Sequence, residues 1–181
     1  MAEQSVKNTG NKWGFVLWLT GLSGAGKSTI ARPLAARLEQ MGQKVERLDG
    51  DVMRNLFPGT GFTREERQEH IKRIGFMASR LEHHGVIVVA SFISPYRQSR
   101  RAVRKMCKNF IEVYVRASLE TCQKRDVKGL YQKAMAGEIK NFTGLDDPYE
   151  QPEKPELVID TDSLSAEQSI ERIMDCIRPF M

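Results

Sequence analysis

The chain is 181 residues long, 40% apolar and 28% charged, which suits one folded domain with a core of its own and argues against a disordered chain. Its 28 Lys and Arg against 23 Asp and Glu leave a net +5, a balance fitted to handling polyanions without saying which. Three unevenly spaced cysteines, Cys107, Cys122 and Cys176, argue against a disulfide framework or a zinc knuckle and point to a reduced compartment, the cytoplasm.

The polar start, Met1 to Lys12, lacks the apolar stretch of a signal peptide and reads as a flexible arm before a single domain covering 1–181. Phe15 to Leu19 is too short to cross a bilayer, so no membrane partner is expected; it reads as a buried strand ending in Gly21-Leu22-Ser23-Gly24. Ile30, Ala31, Leu34, Ala35 and Leu38 then recur at helical spacing up to Gly42, with Pro33 inside, a residue expected to bend or weaken the early turns. Val45 to Leu48 reads as a second strand. Thr63-Arg64-Glu65-Glu66 fits a capping box, and Ile71, Ile74, Ala78 and Leu81 continue from it as one apolar stripe to Gly85. Val86 to Ala90, β-branched and uncharged, gives the third strand. Helix-like stretches over Ser99 to Cys107 and Leu119 to Arg125 flank a fourth, Phe110 to Val115. Leu157 to Ile159 is the last strand, and Ser165 to Gln168 caps a helix carrying Ile170, Ile173, Met174 and Ile177.

Five buried strands separated by helices predict an α/β fold, a parallel sheet with helices on both faces. Asp126 to Glu156 breaks the rhythm. It holds one short helical possibility, Leu130 to Met135, and then Pro148, Pro152 and Pro155. A stretch of that length inside a compact domain predicts a mobile lid, whose Lys128, Lys133 and Lys140 would close over an anion; a solvated loop is the plainer reading.

Gly21-Leu22-Ser23-Gly24-Ala25-Gly26-Lys27-Ser28 matches the whole G-x-x-x-x-G-K-[ST] pattern between a strand and a helix. Its glycines let backbone N–H groups turn inward on phosphate oxygens at the positive end of the helix. Lys27 would reach the β- and γ-phosphates, and the Ser28 hydroxyl would ligate Mg²⁺. A nucleoside triphosphate is the expected ligand. The Asn-Lys-x-Asp signature of a GTPase is missing, since Asn55, Asn109 and Asn141 lack its neighbours. A small-molecule kinase of P-loop architecture is favoured.

The second strand runs into Asp49-Gly50-Asp51, with Arg54 beyond. Ligands in open parallel sheets sit at the strands' carboxyl ends, so these carboxylates should share the phosphate loop's crevice. There Asp49 or Asp51 could take a proton from a hydroxyl or hold Mg²⁺ through water; Asp51 could equally cap the next helix. Arg67 falls near the middle of the Ile71–Leu81 stripe, with His70 about 60° to one side. A cation in a core-facing stripe needs a counter-charge. Arg54 and Arg67 could form a fork for a doubly charged acceptor, or Arg67 could be paired with Asp49 or Asp51.

Taken together the chain resembles the adenylylsulfate kinase family over about Gly14 to Ile177. The matching stretches are the phosphate loop through Thr29, Leu48-Asp49-Gly50-Asp51, Gly61-Phe62-Thr63, Ser91-Phe92-Ile93-Ser94-Pro95-Tyr96, Arg125-Asp126-Val127-Lys128-Gly129-Leu130-Tyr131 and Phe142-Thr143-Gly144. The resemblance implies transfer of the ATP γ-phosphate to the ribose 3′-hydroxyl of adenosine 5′-phosphosulfate (APS) in sulfate activation. It also implies Mg²⁺, a homodimer and a functional link to ATP sulfurylase. Carried over by position, it makes Asp49 the general base and places Arg54 and Arg67 on the phosphosulfate. Phe62 and Phe142 would lie either side of the acceptor adenine, and Arg125 near the ATP adenine. Asp51, Phe92, Ile93, Lys128 and Lys140 join the substrate site, and Ser94 matches a serine that carries a phosphoryl group in some members. Without it, Phe62 reads as a staple at the start of a helix, Phe142 as a loop anchor and Ser94 as a turn residue. The chain departs from the family at His70, where Asn is usual, in a loop from Arg54 to Phe62 one residue short, and at Pro33. A nucleotide-binding regulatory module and a kinase for another hydroxyl acceptor are the competing readings. Nucleic acid is not an expected partner, because no basic and aromatic residues interleave.

Overall fold

The computed structural model describes residues 13–57 and 59–181; the expected arm, Met1 to Lys12, lies outside them. Five strands form one parallel sheet: β1 (Val16–Thr20), β2 (Val45–Asp49), β3 (Ile87–Phe92), β4 (Phe110–Arg116) and β5 (Leu157–Asp160), in the order β2-β3-β1-β4-β5. The intervening helices are α1 (Lys27–Gln40), α2 (Gly50–Leu56), α3 (Arg64–His83), α4 (Arg97–Met106), α5 (Leu119–Arg125), α6 (Leu130–Met135) and α7 (Ala166–Ile177).

Successive strand side chains point to opposite faces, and both faces are covered. Phe15, Leu17 and Leu19 pack with α1 and α7 residues such as Leu34, Leu38 and Ile173. Val16 and Trp18 pack on the other side with Met53, Ile71, Ile74, Ala78 and Val103 from α2, α3 and α4. The capping box predicted at the start of α3 is present: Thr63 accepts from the Glu66 N–H, and the Glu66 carboxylate accepts from the Thr63 N–H at 2.9 Å.

Several boundaries differ from those the sequence suggests. β1 ends at Thr20 and β3 at Phe92, because those two residues pair with each other in register and carry the ladder past the apolar run. β2, β4 and β5 each gain a terminal polar residue, Asp49, Arg116 and Asp160. α4 spans Arg97–Met106 rather than Ser99 to Cys107, and α2, expected only as a helix that Asp51 could cap, begins at Gly50. α1 runs unbroken through Pro33, which sits on the exposed side, where water can satisfy the carbonyl its missing N–H leaves free.

The segment expected as a lid has two halves. Residues 126–146 carry α6 and the exposed side chains of Val127, Lys133 and Met135. Residues 147–156 form a strap bound to α4 and the loop before it. Tyr96 Oη donates to both Asp147 oxygens at 3.0 and 2.9 Å, the Arg97 N–H to Glu150 at 2.8 Å, and Arg104 to Glu156 at 2.7 Å. Arg97, Arg100, Arg101 and Arg104 share one helical face, and Glu150, Glu153 and Glu156 recur every third residue opposite them.

Candidate functional site

The carboxyl ends of β1, β2 and β3 open into one cleft of about 910 Å³. The phosphate loop forms its floor. Gly24 and Gly26 lie in the left-handed region, at φ 76° and 94°, and a Cβ on Gly24 would come within 2.9 Å of the Cys122 carbonyl oxygen, so this turn needs glycine. Gly26 also sits at the start of α1, whose free N–H groups therefore face the cleft. Lys27 Nζ arches back to donate to the Gly21 and Leu22 carbonyls at 2.9 and 2.7 Å. Burial lowers its pKa to about 8.

Asp49 stands across from the loop at the end of β2. Its Oδ2 accepts from Ser28 Oγ at 2.9 Å and from Ser91 Oγ at 3.1 Å, and its Oδ1 accepts from the Asp51 N–H at 3.1 Å. Burial alone would raise this carboxyl, but the three hydrogen bonds outweigh it and hold the pKa below the usual carboxylate range. Asp49 is therefore the cap of α2, the part the sequence offered to Asp51. Asp51 is exposed and pairs with Lys128 from the lid. Ser28 and Asp49 bring two hard oxygens together, and among the described residues no cluster of three or more His, Cys, Asp or Glu is placed to hold a metal. Such a donor set fits Mg²⁺, which is usually held by one or two protein oxygens together with phosphate and water.

The far end is built on α2 and α3. The Arg54 guanidinium lies 4.5 Å from the centre of the Phe62 ring and donates to the Thr60 and Gly61 carbonyls at 3.3 and 3.2 Å. Phe62 is 57% exposed, so it is no staple. Arg67 is not paired with Asp49 or Asp51, nor is it free as one arm of a fork. Buried to 7% exposure, it donates to the Phe62 and Asn141 carbonyls and to Thr143 Oγ1, with Asp147 as its counter-ion at 3.6 Å. Phe142 is buried with its ring edge-on to Tyr131 at 4.9 Å, as an anchor would be, while still lining the cleft. His70 is 3% exposed, and neither ring nitrogen has a protein partner. Burial, with Arg54 and Arg73 nearby, lowers its pKa to about 4, so the ring is neutral.

The adenylylsulphate kinase family model matches residues 13–160. The chain belongs to that family. An adenylyl-sulfate kinase of Picosynechococcus is 56% identical over 162 residues, covering 89% of this chain and 92% of the relative. A probable adenylyl-sulfate kinase of Aeropyrum pernix is 51% identical, with 91% and 93% covered. Among solved structures, the Mycobacterium tuberculosis APS kinase in complex with AMPPNP and APS superposes with a TM-score of 0.88 at 36% identity, covering 92% of this chain and 98% of that one. Shikimate kinase from Acinetobacter baumannii, at 16% identity and a TM-score of 0.63, shows the shared fold alone.

Most of the expected site residues come together. Ser23, Gly24, Gly26, Lys27, Ser28, Thr29, Asp49, Asp51, Arg54, Phe62, Arg67, His70, Phe92, Ile93, Ser94, Arg125, Lys128, Lys140 and Phe142 all line the cleft. Gly21, Leu22 and Ala25 do not. Gly21 and Ala25 are buried beneath the loop, and Leu22 lines a separate groove with Tyr114 and Leu119. Lys133 is exposed outside the cleft. Ser94, which the resemblance matches to a phosphoryl carrier, lines the cleft but is held by its neighbours. It is 2% exposed, and its hydroxyl accepts from Trp18 Nε1 and donates to Thr20, so both bonds would have to break to free it.

Other residues at the site were missed. Thr161 follows β5, accepts from Arg125 at 3.0 Å and donates to the Ala25 carbonyl at 3.0 Å, tying the phosphate loop to Arg125. Its place just past a strand's carboxyl end was the available signal. Tyr131 Oη holds the Ser23 carbonyl at 3.0 Å. Asp147 and Thr143 reach Arg67 from about 80 positions away in the chain, which no local pattern reveals.

Proposed function

We propose that the protein transfers the γ-phosphoryl group of ATP to the ribose 3′-hydroxyl of APS, releasing ADP and 3′-phosphoadenosine 5′-phosphosulfate. One observation carries the reading. A complete phosphate loop with Lys27, Ser28 and Asp49 faces an aromatic and arginine-rich end, Arg54, Phe62 and Arg67, within a single cleft. A phosphosulfate calls for cationic donors and a purine for an aromatic face. A sugar acid would need neither ring.

The reaction forms one bond, from the 3′ oxygen to the γ-phosphorus, and breaks the bond from that phosphorus to the β–γ bridging oxygen. In a loose transition state little proton transfer precedes bond formation. Asp49, ionised and only weakly basic, orients the hydroxyl and takes its proton late. Lys27 exchanges its loop carbonyls for phosphate oxygens when the nucleotide arrives. Mg²⁺, when bound, neutralises charge between the β- and γ-phosphates; the Ser28 hydroxyl, with Asp49 or Asp51 through water, would hold it. Lys128 and Lys140 stand at the cleft to meet phosphate charge as the 126–146 half of the lid closes and excludes water. Arg125 supports the ATP adenine, Phe62 and Phe142 the acceptor adenine, and His70 with Phe92, Ile93 and Ser94 forms the wall beside it.

The same reading includes a single-domain enzyme in the cytoplasm, where the three cysteines stay unpaired, assembled as a homodimer and supplied with APS by ATP sulfurylase. An APS kinase of Thiobacillus denitrificans, 36% identical and covering 93% of this chain, is hexameric; this chain spans 29% of that longer one. Phosphorus NMR of the product tests the position of transfer. A new 3′-phosphomonoester resonance is expected, and a product phosphorylated elsewhere overturns the assignment.

A further inference from the structure

Beneath the acceptor end of the cleft, four polar side chains, three of them buried and Tyr149 half-buried, are joined in one hydrogen-bonded chain. Trp18 Nε1 donates to Ser94 Oγ at 3.1 Å, Ser94 Oγ donates to Thr20 Oγ1 at 3.0 Å, and Thr20 Oγ1 donates to the Ile93 carbonyl at 2.7 Å. A hydroxyl has one proton to give and two lone pairs to fill. With its proton on Ile93 and one lone pair facing Ser94, Thr20 fills the other from Tyr149 Oη at 2.9 Å, which makes Tyr149 the donor. Thr20 is fully buried, so no water competes.

These groups belong to three segments with separate duties. Trp18 and Thr20 end β1, and Thr20 directly precedes the phosphate loop. Ile93 and Ser94 line the acceptor end. Tyr149 sits in the strap that follows the lid and stacks on Tyr114 with ring centres 5.9 Å apart. Ser94 also holds a left-handed backbone, φ 40°, that a non-glycine residue keeps only under restraint; Arg100 Nη1 supplies some of it through the Ser94 carbonyl at 2.6 Å.

We propose that Thr20 and Tyr149 are positioning residues for the acceptor: they lock the Phe92–Ser94 loop at a fixed distance from the phosphate loop, so that the acceptor hydroxyl meets the γ-phosphate. Neither lines the cleft, so each acts through the loop. Small displacements of a reacting group cost large factors in rate, which gives a buried lock of this kind its use. The inference rests on the acceptor reading above.

Steady-state kinetics of Thr20→Val, Thr20→Ser and Tyr149→Phe, with ATP and APS varied separately and thermal melting measured alongside, tests it. Thr20→Val strands Ser94, Tyr149 and the Ile93 carbonyl together. It should raise KM for APS about tenfold or more and KM for ATP less than about threefold. Tyr149→Phe should shift the APS value in the same direction by a smaller factor. Thr20→Ser, which keeps the hydroxyl, should stay within about threefold of the parent for both substrates. If Thr20→Val does not fold, the Tyr149→Phe split decides. Equal changes for both substrates, or a lowered melting temperature with both KM values unmoved, overturns the proposal. Absence of APS-dependent turnover in the parent protein overturns the acceptor reading and this inference with it. Parent turnover without the split overturns this inference alone.

Discussion

Asp49 owes its character to its neighbours: a buried carboxylate would take up a proton, yet hydrogen bonds from Ser28, Ser91 and the Asp51 N–H keep it charged. Asp49→Asn keeps the shape and removes the proton acceptor, so kcat should fall by about 10² to 10⁴ while ATP affinity stays within about threefold. Equal losses in both would recast Asp49 as a metal or structural residue. Lys27 gives a prediction of opposite sign. In the empty protein its pKa is about 8, and a bound polyphosphate raises it, so ATP binding should draw in a proton above pH 8. Affinity should be flat below about pH 7 and then weaken by up to about tenfold per pH unit. Calorimetry at pH 8.5 in buffers of different ionisation enthalpy reads the proton directly; an affinity independent of pH up to 9 contradicts the assignment. These two residues were legible because their neighbours in sequence announce them. Arg67 was only half legible. Its place in an apolar stripe showed that it needed a counter-charge, but Asp147, 80 residues on, supplies it.

The strap shows what element-level patterning conceals. The three prolines and the missing period of 126–156 suggested one mobile unit, whereas residues 147–156 are held by four arginines of α4. Helical periodicity displays the arginines on one face. It cannot say that an extended segment with glutamates three apart lies against them. Arg100 matters most, being buried and bonded to Glu112 at 2.7 Å, the Ser94 carbonyl at 2.6 Å and the Glu150 carbonyl at 2.6 Å. Arg100→Met would leave Glu112 with Arg104 alone, at 3.4 Å, and take the buried donor from the Ser94 and Glu150 carbonyls, so urea unfolding should show a loss of about 3–5 kcal/mol. Arg101→Ala, at an exposed pair with Glu153, should cost under about 1 kcal/mol. Similar values for both would mean that the strap is not organised around Arg100. The central strands, by contrast, were legible nearly to the residue, because burial on both sides favours apolar runs there. Strand ends were not, since Thr20, Asp49 and Asp160 are polar and are held in the ladder by their neighbours.

At the scale of the molecule, two apolar layers fix a sheet whose carboxyl edge carries all the chemistry, and the +5 charge is in keeping with two polyanionic substrates meeting there. The fold could be read from alternation of strand and helix alone, and the phosphate end from eight consecutive residues. At the acceptor end Arg67 was flagged by its place in an apolar stripe, but Phe62 and Phe142 needed the family resemblance, because they come from separate segments and each has an ordinary structural use. The account therefore stands on the acceptor, and initial rates of ADP release test it most directly. With ATP and Mg²⁺ present, APS should drive turnover at low concentration, while AMP and gluconate leave ADP at the no-acceptor level. Equal rates with AMP or gluconate would contradict it.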